Sequence, residues 1–393
     1  MSDTFIEGGI TYKIISEGSG STPGTVQVGV NTTNTNPAIN INTATPITIP
    51  QSVAYSSTTY IVVAIGDGAF MDCAALPAVS LPNTLARIGS YAFGDCSALG
   101  NVSIPSSVTS IGDYAFGGCD AFTSTSIPSS VTELGNSIFE SCDNLASVQL
   151  PNGLTKIGQT MFGGCTSLAS ITIPDSVQSI GDKAFATCNS LSSVTIPNSV
   201  QSIGMGAFAM CNGLENVVIG NGVQAIVEDT FLECLALKSL VIGNNVQTIG
   251  TEAFAGATSL TQLDLGTGLK SIGDQAFSSC TSLTNLVLPD SLESVGSDAF
   301  ILCSKLETIS FGTGLKSIGS DAFSFCAKLN EFLAEFSDGV SVMLTLTVDV
   351  QSSGGQIPAT GDNFLGSAWL ASLALLLAGT AVLFAAGARR RRN

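Results

Sequence analysis

The chain contains no histidine and a single tryptophan in 393 residues, and only 11% of its residues are charged. Without histidine, the commonest general base and the commonest zinc ligand are both missing. Basic residues are scarce. Thirteen Lys and Arg stand against thirty Asp and Glu, for a formal net charge of −17. So acidic a chain repels nucleic acid and anionic lipid surfaces, and neither is expected as a partner. There is no Gly-rich phosphate loop, no pair of carboxylates at a useful spacing and no Ser/His or Cys/His set. The expectation is therefore no enzymatic activity, no catalytic residue, no cofactor and no metal. The start, Met1-Ser2-Asp3-Thr4, lacks the basic and apolar regions of a signal peptide. Because the C-terminus points to export, the true start is expected upstream.

What is present is one sentence of residues, repeated. It reads Ser-Ile-Gly-x-x-Ala-Phe-x-x-Cys-x-x-Leu-x-x-Val-x-Ile-Pro-x-Ser-Val. Its marker phenylalanine falls at Phe70, Phe93, Phe116, Phe139, Phe162, Phe185, Phe208, Phe231, Phe254, Phe277, Phe300 and Phe323, always 23 residues apart. A fixed period in this range with leucine-rich spacing marks a leucine-rich-repeat solenoid. The fold expected is a β-rich right-handed superhelix with short helical or 3-10 turns, in 12 repeats of 23 residues.

Within one unit, Val194 and Ile196 alternate as an inward-facing strand requires. Pro197 ends that strand, because it cannot donate the next ladder bond. Val200 and Ile203 form a second inward pair, and Gly204 is expected to turn the chain. The following column, with Asp67, Asp113, Asn136 and Asp182 among its members, reads as helix N-caps, so Ala-Phe-x-x-Cys is expected to form a helical or 3-10 turn. All eleven cysteines sit three residues after a marker Phe, and Ala257 takes that column once. A small apolar replacement suits a buried packing position. Buried free thiols are expected, since parallel Cβ vectors in a ladder do not suit a disulfide torsion.

Residues 1–60 fall outside the period and are read as an N-terminal cap. Strands are expected at Ile10–Ile15 and Thr25–Val30, and nine extra residues around Ala54–Val62 are expected to form a β-hairpin. The array proper is placed at residues 61–336, a capping strand at 337–350 and a flexible linker at 351–356.

The frame Ile-Gly-x-x-Ala-Phe-x-x-Cys-x-x-Leu resembles the BspA-type leucine-rich repeat of bacterial surface proteins, over roughly residues 42–330. That resemblance implies adhesion to host extracellular-matrix proteins or to other cells. The tail adds a second resemblance. Ile357-Pro358-Ala359-Thr360-Gly361 precedes 25 uncharged residues, 364–388, and then four arginines. The run is long enough to cross a bilayer, with its basic end held in the cytoplasm. Together these resemble the LPxTG-type cell-wall sorting signal of Gram-positive bacteria, with Ile357 in the leucine position. The resemblance implies that sortase cleaves after Thr360 and joins the chain to peptidoglycan. A membrane anchor without wall linkage is the alternative, and a structural surface coat is the alternative to adhesion.

The default binding surface of a solenoid is its concave strand face. The period puts Ser193, Thr195, Asn216, Val218, Ser239, Val241, Gln262, Asp264, Asn285 and Val287 on it. No aromatic or Arg anchor stands among them, so contact there is expected to be broad and avidity-driven.

Overall fold

The computed structural model describes residues 3–19, 22–30 and 37–329, together with the backbone of strands Glu331–Glu335 and Ser341–Thr345. It is a β-solenoid of about eleven turns, the twelve marker phenylalanines bounding them. No helix occurs among the described residues.

The N-terminal residues form strands β1 (Thr4–Glu7), β2 (Ile10–Ser16), β3 (Gly24–Val28), β4 (Ile47–Thr48), β5 (Ser52–Tyr55) and β6 (Thr58–Ile65). β1, β2 and β3 run antiparallel, and β3 then pairs β6 in parallel. β5 and β6 are the hairpin that the extra residues announced. Its two-residue turn, Ser56 and Ser57, has φ of 49° and 66°, the left-handed pair that matches the twist of hairpin strands. Parallel pairing then carries β6 onto Arg87–Ile88 and Ser110–Ile111, so the cap sheet grows directly into the solenoid. β4 does the same for the other wall by pairing Val79–Ser80. Phe5 stacks on Tyr55 at 4.4 Å and on Tyr12 at 5.5 Å, filling the end of the first coil with aromatic surface.

Each coil has two strand segments and one turn segment. In the unit around Phe208 the strands are Ser193–Ile196 and Ser202–Ile203. Leu191, Val194, Ile196, Val200 and Ile203 are buried. Every inter-coil register is a shift of 23 with no slip, as in Ser193 opposite Asn216 and Ser202 opposite Ser179. A slip of one residue would turn the buried column outward, so the unbroken period fixes the register.

The turn segment departs from the expected helical turn. The residues two before and two after each marker Phe have positive φ in all twelve coils, as in Tyr91 and Asp95 or Lys183 and Thr187. Two left-handed residues four apart interrupt any helix. The segment closes only isolated three-residue turns, such as Cys96 N on the Phe93 carbonyl at 3.3 Å, and otherwise hydrogen-bonds forward: Phe70 N donates to the Ala92 carbonyl at 2.7 Å and Phe93 N to that of Ala115 at 2.8 Å. The Asp/Asn column accordingly caps a neighbouring coil. Asp67 Oδ1 accepts from Ser90 N at 3.0 Å, Asp113 from Asn136 N at 2.6 Å and Asp182 from Met205 N at 2.9 Å. Gly204 does not supply the turn either. A Cβ there would lie 2.4 Å from the backbone nitrogen of Asp182, so that column is glycine because successive coils approach closely.

The marker rings form one continuous stack. Neighbouring centroids lie 5.0–5.8 Å apart with planes within 15° of parallel. All eleven thiols are buried and free. Ten of them, from Cys96 to Cys326, donate Sγ–H to the marker-Phe carbonyl 26 residues earlier, at 2.9–3.6 Å. Cys73 lies in the first coil and has no earlier marker.

At the other end, Glu331–Glu335 and Ser341–Thr345 pair antiparallel. The linker, the motif Ile357–Gly361 and the apolar run 364–388 lie outside the described residues.

Candidate functional site

The strand face is built by alternation. In Ser193–Ile196 and Asn216–Ile219 the exposure pattern is out, in, out, in. Val194 and Val217 anchor the wall from inside while Ser193, Thr195, Asn216 and Val218 stand outside. Parallel register aligns Ser193, Asn216, Ser239 and Gln262 in one row, and Thr195, Val218, Val241 and Asp264 in a second. These eight residues belong to one four-stranded sheet. Asn285 and Val287 do not join it. Their strand pairs Thr308–Ser310 in a separate two-stranded sheet. The break coincides with Gly266, at φ 66°, whose N–H is held by Asp264 Oδ1 at 2.9 Å. That local turn draws Asp264 toward its own backbone.

The apolar members of the face are exposed, with Val218 at 42%, Val241 at 38% and Val287 at 65%. Val218 and Val241 are direct neighbours in register, and Val287 stands apart from them. Hydroxyl and amide groups surround the valine pair, so the face offers a small apolar spot in a polar field.

Burial pushes the thiol of Cys73 up to about 11 and those of Cys142 and Cys211 up to about 12. Burial likewise holds Cys119, Cys165, Cys188 and Cys234 well above the ordinary thiol range. A thiol kept protonated and out of water is neither nucleophile nor metal ligand at neutral pH. Among the described residues no group of three or more His, Cys, Asp or Glu is placed to hold a metal ion. No helix among them is long and apolar enough to cross a membrane.

The profile of the BspA type leucine-rich repeat region, in six copies, matches overlapping stretches at residues 63–190, 136–260 and 224–340. The chain belongs to the BspA-type leucine-rich repeat family. Its solved neighbours agree. A leucine-rich repeat protein from Bacteroides ovatus is 28% identical with a TM-score of 0.54, covering 83% of this chain and 93% of its own. A leucine-rich cell surface protein from Faecalibacterium prausnitzii is 28% identical with a TM-score of 0.55 and the same coverages. The pneumococcal vaccine antigen PcpA, 20% identical with a TM-score of 0.51 over 81% of this chain and 86% of its own, shares the fold. No curated protein matches the chain in sequence. BspA-type solenoids are typically non-enzymatic repeat scaffolds of the cell surface.

Proposed function

We propose that this BspA-type protein is a cell-surface adhesin or interaction protein, attached covalently to peptidoglycan by sortase. Its partners in this reading are sortase, peptidoglycan and host extracellular-matrix proteins or other cells. The observation that carries the reading is the aligned double row from Ser193 to Asp264, outward-facing and in register over four coils. A surface of repeated small groups without an aromatic or Arg anchor binds by adding many weak contacts. In the same reading residues 1–60 cap the array at 61–336, residues 337–350 close it, 351–356 link it, and 357–393 sort it to the wall. Ile357, Pro358, Ala359, Thr360 and Gly361 are then the residues that sortase reads, with cleavage after Thr360. Bacteria producing the chain should adhere to immobilised matrix proteins or cells, and a deletion strain should not. Equal adhesion of the two strains would favour a structural coat without a specific ligand. Mass spectrometry of wall digests should find the chain ending at Thr360, and a chain still carrying its arginines would leave it a membrane protein.

A further inference from the structure

Away from the strand face, at the corner where each coil leaves it, lies an open trough of about 800 Å³ crossing four coils. Its walls are two columns of amides. Asn198, Asn221 and Asn244 form one, and Gln201, Gln224 and Gln247 the other. The amide lining is local to these coils. The same two columns hold Asp175 and Gln178 one coil earlier, Thr267 and Lys270 one coil later, and Asp290 and Glu293 after that. In a chain of charge −17 the trough contains no acidic residue, and Lys270 is its single cation.

The backbone fixes the orientation of the asparagines. Asn198 Oδ1 accepts from Asn221 N at 2.8 Å, Asn221 Oδ1 from Asn244 N at 2.8 Å, and Asn244 Oδ1 from Thr267 N at 3.1 Å. With the acceptor engaged, each Nδ2 keeps two donors for the trough. The three glutamines are exposed at their side chains, and the coil ladder holds the backbone N–H of two of them. Gln201 N donates to Gln178 and Gln247 N to Gln224, both at 2.8 Å. Along the floor Gly222 and Gly268, which admit no side chain, alternate with Ser199 and Asn245, whose Nδ2 donates to the Asn221 carbonyl at 2.8 Å. A Cβ would lie 2.2 Å from the Asn198 carbonyl oxygen at Gly222 and 2.0 Å from that of Asn244 at Gly268.

We propose that this amide-lined trough binds an extended, uncharged polysaccharide running along the solenoid axis. The available groups are amides, which hydrogen-bond hydroxyls as both donor and acceptor. The strand segments Ala225–Ile226, Thr248–Ile249 and Ser271–Ile272 pair coil to coil, which leaves an extended peptide little strand edge to join. The trough's lining offers no apolar side chain to a peptide's own. A polyanion is disfavoured by the acidity of the whole chain. The rungs recur with the coil, at the 5.0–5.2 Å spacing seen between the ring centroids of these same coils. An extended β-linked glycan presents its hydroxyls at a comparable repeat, so successive sugars meet equivalent rungs and weak contacts add. The trough and the strand face are different surfaces, so either can fail alone.

The test uses the full chain in mild detergent, co-sedimented with insoluble cellulose and with chitin, and with heparin-coated beads as the anionic comparison. Retention on cellulose or chitin and not on heparin is expected. The triple change Gln201→Ala, Gln224→Ala, Gln247→Ala should lower the retained fraction at least tenfold, with an unchanged melting temperature. Should that variant melt early, the single exposed change Gln224→Glu, which removes a donor at constant size, should still weaken retention. The strand-face pair Val218→Ser, Val241→Ser should leave retention intact. No retention on either neutral glycan, or retention untouched by the glutamine changes, or equal loss in the valine variant, overturns the proposal.

Discussion

The least conventional residue here is the cysteine. Its thiol is a weak donor, yet in ten coils it adds a bond from the next coil to a buried Phe carbonyl, which in most coils also accepts the backbone N–H three residues on. Position 257 is the gap: an alanine sits 26 residues after Phe231, so that carbonyl has no thiol donor. Ala257→Cys should therefore stabilise the array by about 0.5–1 kcal/mol, seen as a higher midpoint in denaturant. Thiols raised from an ordinary value of 9.0 to about 11 or 12 also set an alkaline limit. Their contribution is complete below the unfolded value and is lost as pH climbs through the folded one. Thermal melts should hold to about pH 9 and fall steeply toward pH 12, and a flat profile would contradict the burial. The left-handed positions add a second residue-level cost. Leu302 and Phe325 adopt φ of 63° and 60° with large side chains that stay partly in water. Leu302→Gly should gain roughly 0.5–1 kcal/mol by equilibrium denaturation, since a non-glycine residue pays 1–2 kcal/mol there and glycine pays part of that back in chain entropy.

At the scale of the coil, the ring stack joins each turn to the next. Phe208 touches Phe185 at 5.0 Å and Phe231 at 5.1 Å and is fully buried. Phe208→Ala should cost about 3–5 kcal/mol. Because each coil contacts only its neighbours, hydrogen exchange should quicken first in the coils flanking residue 208. Uniform acceleration along the array would mean that the solenoid unfolds as one block. The ion pairs between coils matter less. Lys238 and Glu215 meet at 2.8 Å with both side chains about half exposed, a geometry worth little in water.

Over the whole molecule, acidic residues crowd the turn side of the coils. Burial first, and then Asp229, Glu228 and Glu233, raise the carboxyl of Glu252. Asp298 is raised by burial and by Asp321 and Asp274. Raised carboxyls contribute stability at pH values below their unfolded range and lose it as pH rises through the folded one. The melting temperature should thus increase as pH falls from neutrality into the ordinary carboxylate range. Added salt should raise it at neutral pH by screening the same repulsions, over a Debye length of about 10 Å at 0.1 M. A melting temperature indifferent to both would remove self-repulsion from the account.

The 23-residue period alone determined the coil, its register and the buried columns of Phe, Cys, Leu and Val, because each rests on spacing and on which side chains avoid water. The strand-face positions were equally legible, since alternation fixes which way a residue points. Tertiary structure decided what no single repeat can contain. The Asp and Asn column looked like helix caps, and its partners proved to be backbone groups 23 residues ahead. The glycine column looked like a turn, and the contact that demands it comes from the coil before. The split between Asp264 and Asn285, and the amide trough from Asn198 to Gln247, likewise arise only when coils are laid side by side. The trough did leave a trace, as Asn and Gln recurring at fixed offsets from Phe208, Phe231 and Phe254, but a recurring amide becomes a surface only through the contact between coils that stacking supplies.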